Sequence, residues 1–310
     1  AFPEQVGRLK YSKSRVLGSI AGGGTLGILI PPSLILIMYG VLTETSIARL
    51  YLAGFIPGVM MAIIFSLYII VIDLIKPWHT SEPVAMLSFK EKVKGLGGLG
   101  PPVAIVIGIL AMLYLGVASP SELGAVGALL VLIINLFHRE VTWSRIVKTL
   151  VRTARISSFS IFLILGGSLM SILLANIGTG RMLISVISEY SVPPYVVFAM
   201  ICGIYFVLGC FLDGFSILVL VTPLSFVVLT DLGFDPVWFG IIVTLLTEIG
   251  IITPPYGINL YVLDGISGGK MLGQIMLGAL PYVALLLFGI GLLVLFPEIA
   301  LSLPNSTLGG

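Results

Sequence analysis

Two adjacent prolines interrupt a long apolar stretch over residues 237–263, in the motif Gly250-Ile-Ile-Thr253-Pro-Pro-Tyr-Gly257-Ile-Asn259. Two prolines in succession remove two backbone N–H donors, and they push the preceding Thr253 away from the α conformation. Inside a bilayer, every backbone group without a partner costs several kcal/mol, so such a break survives only where protein, water or a bound ion satisfies the freed groups. The motif therefore predicts a broken membrane-spanning helix that lines a binding site.

A second break of the same kind lies earlier in the chain, in Gly27-Ile-Leu-Ile30-Pro-Pro-Ser33. Glycine stands four residues before the first proline in both motifs, and Ile30 occupies the position of Thr253. Each break is followed at nearly the same distance by a Gly-x-x-Pro sequence, at 54–57 and at 278–281. We interpret the two regions as an internal repeat. Interrupted helices in corresponding positions of two repeats indicate the binding site of a secondary transporter.

The composition places the chain in a membrane. It is 58% hydrophobic and only 10% charged, whereas soluble domains carry about 25% charged residues. Its apolar runs are continuous rather than alternating, so we predict an all-α polytopic membrane protein. A net charge of +2 gives no reason to expect a nucleic-acid partner. Because the chain begins with Ala and shows no signal peptide, we expect an N-terminally incomplete piece of a larger protein.

The apolar runs also give a membrane layout. Residues 193–230 are apolar but interrupted at 209–214, and their two arms are slightly short for a full crossing, so we interpret them as a re-entrant helical hairpin. Residues 139–155 carry apolar and basic positions on opposite sides at helical spacing, which is typical of an amphipathic helix on the membrane surface. The predicted spans are residues 17–42, 50–75, 101–117, 121–137, 156–176, 237–263 and 272–296.

A strong charge asymmetry orients this layout. If residues 1–15 are cytoplasmic, 14 of the 16 Lys and Arg residues fall on the cytoplasmic side, as the positive-inside rule requires. The first broken span then runs outward and the second runs inward, so the repeats are predicted to be inverted. Two full crossings over residues 193–230 satisfy the charges as well as a hairpin does, and the charges do not separate these alternatives.

The breaks present backbone groups that suit ions. The N-terminal end of a half-helix offers free N–H groups to a carboxylate, and the C-terminal end offers carbonyl oxygens to a small cation. Gly27 and Gly250 expose their carbonyls without a side chain in the way, and we expect the carbonyls of Ile30 and Thr253 to lose their partners to the prolines. The Thr253 hydroxyl adds one more oxygen. The alternative is a plain proline kink that helps the helices pack.

Two acidic residues lie inside apolar sequence. Asp213 stands at the middle of the predicted hairpin, where a carboxylate costs a few kcal/mol unless it is paired or hydrated. We favour a role in ion or substrate binding, with an N-cap of the returning arm as the alternative, and both roles are compatible. Glu248 either approaches the second break or pairs with a backbone group of a neighbouring helix. Ser33 and Asn259 follow the breaks and are placed to line a polar cavity.

At this point the chain resembles the large membrane subunit, the DctM-like permease, of the tripartite ATP-independent periplasmic (TRAP) transporters. The resemblance runs along the whole chain. It implies an elevator-type fold of the ion-transporter superfamily and sodium-coupled uptake of small organic anions. The partners that it implies are a small membrane subunit and a periplasmic substrate-binding protein. The motifs that carry it are Gly23-Gly24-Thr25-Leu-Gly-Ile-Leu-Ile-Pro-Pro-Ser33, Ala53-Gly54-Phe-Ile-Pro57-Gly58, Gly209-Cys-Phe-Leu-Asp213 and Glu248-Ile-Gly250-Ile-Ile-Thr253-Pro-Pro-Tyr-Gly257-Ile-Asn259-Leu-Tyr-Val.

The resemblance also implies roles for individual residues. A first sodium site falls on Gly27, Ile30 and Pro32, and a second on Gly209, Gly250 and Thr253. The family carries a serine-rich hairpin tip before its first broken helix, and this sequence begins just after that tip, so we expect the first site to be incomplete. No cofactor and no metal other than sodium are expected. The residues expected around the substrate are Asp213, Thr25, Ser33 and Asn259.

The predicted organisation has four parts in the cytoplasmic (inner) membrane of a bacterium or archaeon. Residues 1–49 and 156–265 are expected to form the transport domain, and residues 50–155 and 266–310 the scaffold with its amphipathic arm. A stand-alone sodium-coupled anion carrier of the same superfold is the alternative function. A membrane enzyme is disfavoured, since no cluster of His, Asp or Glu shares one depth. A scaffold subunit without a site of its own is the third possibility.

Overall fold

The computed structural model describes residues 12–75, 100–138 and 141–308 of the chain. Within these ranges the secondary structure is helical, and we number the helices in chain order. They are α1 (Lys13–Leu29), α2 (Leu34–Leu42), α3 (Ile47–Ile75), α4 (Gly100–Tyr114), α5 (Pro120–Phe137), α6 (Trp143–Ile177), α7 (Thr179–Glu189), α8 (Pro194–Gly209), α9 (Gly214–Asp231), α10 (Pro236–Ile251), α11 (Ile258–Ile266), α12 (Leu272–Leu295) and α13 (Glu298–Leu308).

The helices confirm a polytopic membrane protein. Five of them, α3, α5, α6, α9 and α12, are long and apolar enough to cross a membrane. Helices α1 and α2 meet the same test together, although they are bent by 42° at the break between them. Residues 1–11 and 76–99, which carry several of the Lys and Arg residues used to orient the chain, lie outside the described residues, so the charge-based orientation in the membrane stays a prediction.

Three helices differ from the sequence-based expectations. A single helix, α6, covers most of the predicted surface helix (139–155) and the whole predicted span after it. No proline stands within α6, so nothing in the backbone ends the helix where its sequence changes from amphipathic to apolar. Helices α7 and α13 were not predicted, and each has only 11 residues, too few to be recognised as a membrane span.

The chain divides into two compact units, which are described separately. The smaller unit, Pro83–Leu163, includes α4 and α5. Helix α5 begins with a capping box: the Ser119 hydroxyl accepts from the Glu122 N–H, and the Glu122 carboxylate accepts from the Ser119 N–H at 2.7 Å. Glu122 is therefore a first-turn helix residue, as its position after Pro120 predicts.

The larger unit, Ala1–Glu82 with Ile164–Gly310, contains both breaks and is built around α10. Every residue of α10 from Val237 to Ile251 is buried, because the helix is apolar on all sides and is enclosed by its neighbours. Polar groups near its N-terminal end find specific partners. The Tyr39 hydroxyl donates to the Pro236 carbonyl at 2.7 Å, and the Trp238 indole donates to the Leu293 carbonyl at 2.8 Å.

Helices α1 and α12 approach each other closely through small residues. A Cβ built on Gly278 would lie 1.9 Å from the Ser14 carbonyl oxygen, and one on Gly18 would lie 2.1 Å from the Gly278 oxygen. Four residues further along α1, Gly22 rests against the ring of Tyr282. Small residues let membrane helices pack backbone against backbone, so this seam fixes the position of α1 just before the first break.

Candidate ion and substrate site

The first break is a short interruption between α1 and α2. Helix α1 ends at Leu29, and Ile30 takes an extended conformation while its N–H still donates to the Leu26 carbonyl at 2.9 Å. The Pro31–Pro32 bond is cis. Ser33 is buried and serves as the N-cap of α2, where its hydroxyl accepts from the Leu36 N–H at 3.4 Å. The Ser33 hydroxyl therefore stabilises the restarting helix in this conformation.

The second break is longer and more polar. Helix α10 ends at Ile251, and α11 begins after Gly257, whose φ of +26° favours glycine. The Thr253 hydroxyl donates to the Ile249 carbonyl at 2.6 Å, which leaves the lone pairs of the hydroxyl oxygen available. The Thr253 carbonyl accepts from the Gly257 N–H at 3.0 Å. The expectation that proline leaves this carbonyl without a partner was therefore wrong.

Each proline lacks the N–H that would donate to the carbonyl four residues before it, so those carbonyls lose their helical partner. In an α-helix the Gly27 and Gly250 carbonyls would accept from residues 31 and 254, which are prolines without an N–H. The Gly250 carbonyl instead accepts from the Thr253 N–H at 3.2 Å. Gly27 is exposed, and a Cβ built on it would meet nothing within 4 Å. Gly27 therefore borders open space on the side where a side chain would stand.

Helices α8 and α9 form a hairpin, whose tip is the turn over residues 209–214. Asp213 lies in this tip and is the N-cap of α9. One carboxylate oxygen accepts from the Phe215 N–H at 3.0 Å and from the Ser216 N–H at 3.2 Å, and the other accepts from the Ser216 hydroxyl. The N-cap interpretation is thus confirmed. Asp213 is only half-buried, and a carboxylate has about four lone-pair positions, so the cap leaves capacity for a further ligand.

The hairpin tip lies directly against the second break. A Cβ built on Gly250 would lie 2.7 Å from the Gly209 carbonyl oxygen, so the two backbones touch. The Tyr256 N–H donates to the Cys210 carbonyl at 2.8 Å, which joins the tip to the unwound segment. Gly209, Gly250 and Thr253, the three residues of the second predicted sodium site, are therefore brought together.

The tip also contacts the helix that follows the first break. A Cβ built on Gly214 would lie 2.4 Å from a Thr247 methyl group and 3.3 Å from the Ile35 side chain. The first residue of α9 is thus held between α10 and α2. Segments that are far apart in the sequence, the hairpin tip and both broken helices, converge in one region of the larger unit.

The first break rests on two glycines of α3 that sequence reasoning did not assign to the site. A Cβ on Gly54 would lie 2.7 Å from the Leu29 carbonyl oxygen, and one on Gly58 would lie 2.6 Å from the Ile30 side chain. The sequence analysis includes Gly54 in the repeated Gly-x-x-Pro sequence and both glycines in a family motif, but assigns neither of them to the site. The spacing of Gly54 and Gly58, one helical turn apart on a single face, was the signal that could have shown their role.

Thr25 lies near the end of α1, and Asn259 of α11 approaches the same part of that helix. The Asn259 amide nitrogen would be 3.6 Å from a Cβ on Gly24, so this residue of the second break reaches α1. Thr25 is fully buried, and its hydroxyl donates to the Gly22 carbonyl at 2.8 Å. Of the four residues expected around a substrate, Asp213 and Asn259 are half-buried, whereas Thr25 and Ser33 are buried.

Glu248 faces α1 rather than the break. Its side chain is fully buried, and its carboxyl lies near the Thr25 hydroxyl and the Leu29 N–H. Neither group completes a hydrogen bond, because both carboxyl oxygens lack a partner. Glu248 therefore faces a neighbouring helix, but the predicted pairing with a backbone group of that helix is not formed.

A membrane protein with two interrupted helices that meet at a hairpin tip has the architecture of a secondary transporter. Comparison with known proteins gives the family: a profile of the "Tripartite ATP-independent periplasmic transporter, DctM component" matches residues 2–299. The chain belongs to this family, the large permease subunits of TRAP transporters. It is accordingly a transporter component of the inner membrane and not an enzyme.

Individual relatives agree along most of the chain. The C4-dicarboxylate TRAP transporter large permease protein DctM of Pseudomonas aeruginosa is 30% identical over 300 residues, covering 96% of this chain and 69% of that protein. The ectoine TRAP transporter large permease protein TeaC of Halomonas elongata is 30% identical over 296 residues, 94% of this chain and 68% of that protein. The sialic acid permease SiaM of Vibrio cholerae is 30% identical over 302 residues, 97% of this chain and 70% of that protein.

Proposed function

We propose that this chain is the large permease subunit of a sodium-coupled TRAP transporter that imports small organic anions delivered by a periplasmic binding protein. The observation that carries the proposal is the convergence of Gly209, Gly250 and Thr253 at the contact between the hairpin tip and the second break. Carbonyl and hydroxyl oxygens are the ligands that suit a hard cation such as sodium.

In this proposal the second sodium site uses backbone oxygens from the tip and the break, together with the Thr253 hydroxyl. Asp213 lies on the tip three residues after Cys210, whose carbonyl is bonded to the break. Its negative charge offsets that of a bound cation, which accounts for a half-buried carboxylate at this position. The first sodium site uses Gly27, Ile30 and Pro32 and has only backbone oxygens to offer from these residues.

The substrate anion is proposed to bind beside the N-terminal end of α11. This helix has no side-chain cap, so the Ile258 and Asn259 N–H groups are free to face an anion. The Asn259 amide adds a donor. Dicarboxylates, sialic acid and ectoine, which relatives are named for, all contain a carboxylate. We therefore propose a small carboxylate as the substrate.

The mechanism that we propose is an elevator, in which residues 1–49 and 156–265 move against residues 50–155 and 266–310. In this division the close contact between α1 and α12 lies at the boundary between the moving part and the scaffold. A small membrane subunit would brace the scaffold, and a periplasmic binding protein would present the substrate. Both partners are inferred from the tripartite organisation of the family.

Reconstitution into proteoliposomes tests the proposal. The permease, its small subunit and its binding protein are combined, and uptake of labelled dicarboxylate, sialic acid and ectoine is measured. We expect uptake of one carboxylate class that needs an inward sodium gradient and the binding protein together. Uptake that persists without the binding protein would instead indicate a stand-alone carrier. Uptake that is insensitive to a sodium ionophore would contradict sodium coupling.

A further inference from the structure

The two arms of the hairpin, α8 and α9, are joined by a buried chain of hydroxyl groups. The Tyr205 hydroxyl of α8 lies 2.9 Å from the Thr222 hydroxyl and 3.1 Å from the Ser225 hydroxyl, both of which belong to α9. All three side chains are buried. Each of these bonds crosses from one helix to the other, so together they fix how one arm is placed against the other.

The number of hydrogens available gives the direction of this chain. The Ser225 hydroxyl donates its only hydrogen to backbone carbonyls of α9, of which that of Val221 is the nearer at 2.8 Å. Ser225 can therefore only accept from Tyr205. Because the Tyr205 hydrogen is used in that bond, Tyr205 in turn accepts from the Thr222 hydroxyl. Tyr205 is thus the residue that holds both contacts between the arms.

The ring of Tyr205 connects the same arm to α10. It meets the Phe239 ring edge-on, with 6.3 Å between the centroids. Phe239 also meets the ring of Tyr39 on α2 in an edge-on arrangement, at 6.2 Å. Edge-to-face pairs of this kind are favourable beyond the area that they bury. Tyr205 therefore contacts the second arm through its hydroxyl and the enclosed helix α10 through its ring.

Tyr205 lies one helical turn before Gly209, the last residue of α8. In a regular helix the Gly209 N–H donates to the Tyr205 carbonyl, so a shift of Tyr205 is passed on directly to Gly209. The Gly209 carbonyl oxygen lies at the close contact with Gly250. A binding site needs its ligands held in place by the residues behind them, and small displacements weaken it.

We propose that Tyr205 is a positioning residue for the second sodium site. Its hydroxyl holds the two arms in the register that places the Gly209 carbonyl against the second break. The inference rests on the proposed sodium-coupled function, and it adds to that function a residue that supplies no ligand to the ion. Thr222 is the second member of the device, since its hydroxyl donates to Tyr205. Loss of these contacts lets Gly209 shift and weakens sodium binding, although every ligand is still present.

The dependence of uptake on external sodium tests the proposal, in proteoliposomes that contain the permease, its small subunit and its binding protein. Tyr205→Phe keeps the ring and removes the hydroxyl, and it should raise the sodium concentration for half-maximal uptake by about three- to tenfold. Thr222→Val removes one of the two contacts and should raise this concentration by about two- to threefold. Thr222→Ser keeps the hydroxyl and should keep the original value. The double variant of Tyr205→Phe and Thr222→Val should match Tyr205→Phe, because that change already breaks both contacts.

Tyr195→Phe is the matched control, because Tyr195 lies on the same arm and its side chain is exposed. Its sodium dependence should be that of the unaltered chain. Tm is measured in parallel, since a variant that only folds less well lowers the maximal rate and leaves the half-maximal sodium concentration unchanged.

Three results would overturn the proposal. They are an unchanged half-maximal concentration in both Tyr205→Phe and Thr222→Val, an equal rise in Tyr195→Phe, and a rise in Thr222→Ser as large as that in Thr222→Val. In each of these cases the sodium dependence of the unaltered chain still supports the proposed function. If uptake by the unaltered chain did not depend on sodium, the proposed function itself would fail, and the positioning role of Tyr205 would fail with it.

Discussion

The backbone of Gly250 touches that of Gly209: a Cβ on the first would lie 2.7 Å from the carbonyl oxygen of the second. These residues are 41 positions apart, and each belongs to a different interruption of the helical chain. Neither side of the contact can move away locally, because both are backbone. The unwound segment of the second break and the hairpin tip therefore form one structural element.

Replacement of Gly250 by Ala should push the second break away from the hairpin tip at Gly209. The added methyl group meets backbone rather than a flexible side chain, so we expect a loss of about 1–3 kcal/mol in unfolding free energy and loss of uptake in proteoliposomes. Gly203→Ala is the matched control. Gly203 lies in the arm α8, a Cβ there meets nothing within 4 Å, and Ala favours a helix over Gly. Normal uptake by Gly250→Ala would contradict the role of this contact.

The two roles of Asp213 can be separated by substitution. Asn is as good an N-cap as Asp, so Asp213→Asn should keep Tm, whereas Asp213→Ala should lose about 1 kcal/mol of stability. If the carboxylate also offsets the charge of a bound cation, both variants should lose sodium-dependent uptake. Asp235 caps α10 in the same manner, accepting from the Val237 and Trp238 N–H groups, but lies away from the tip. Asp235→Asn should therefore retain uptake. If Asp213→Asn also retained uptake, Asp213 would act only as an N-cap and would have no role in cation binding.

The Thr253 hydroxyl is expected to contribute an oxygen to sodium binding. Thr253→Ser keeps that oxygen and should keep the sodium concentration for half-maximal uptake within about twofold of the original value. Thr253→Val removes the oxygen and should raise this concentration by about tenfold, which corresponds to the loss of about 1.4 kcal/mol from one ligand contact. Thr244→Val is the control, because this buried hydroxyl donates to the Gly240 carbonyl within α10 and is away from the break. An unchanged sodium dependence in Thr253→Val would exclude this hydroxyl as a ligand.

The seam between α1 and α12 should be sensitive to a single methyl group. Gly278→Ala would place a Cβ 1.9 Å from the Ser14 carbonyl oxygen, so the helices must separate. We expect lower Tm and little or no uptake, measured in the same proteoliposomes. In Gly23→Ala, on another face of α1, the Cβ meets nothing within 4 Å, and both properties should be unchanged. Equal behaviour of the two variants would show that the seam is not a constrained contact.

Sequence reasoning predicted the features that depend on local chemistry. Double proline removes N–H donors whatever surrounds it, so the breaks after Leu29 and Ile251 were predicted close to where the helices end. The tip around Asp213 was predicted because glycine and a capping carboxylate interrupt an apolar run. The continuity of α6 was missed because a change in amphipathic character does not end a helix.

Contacts between distant segments were beyond this kind of reasoning. Nothing in the spacing around Glu248 tells which neighbouring helix it faces, since that depends on how α10 packs against α1. In the same way, Gly54 and Gly58 became part of the site only when the first break was seen to rest on them. The partner of the Thr253 carbonyl is likewise a consequence of how the unwound chain turns at Gly257.

The enclosure of α10 limits how the second break can be controlled. Since the helix is covered by protein along its length, neither lipid nor a partner subunit can reach Thr253 across it. Access remains from the other side of the break, where Pro255 is exposed, together with Phe211 of the hairpin tip and Ile258 at the start of α11. A lipid, drug or subunit that regulates this permease through its second break is therefore expected to bind on this exposed side, and a screen for inhibitors can be directed at it.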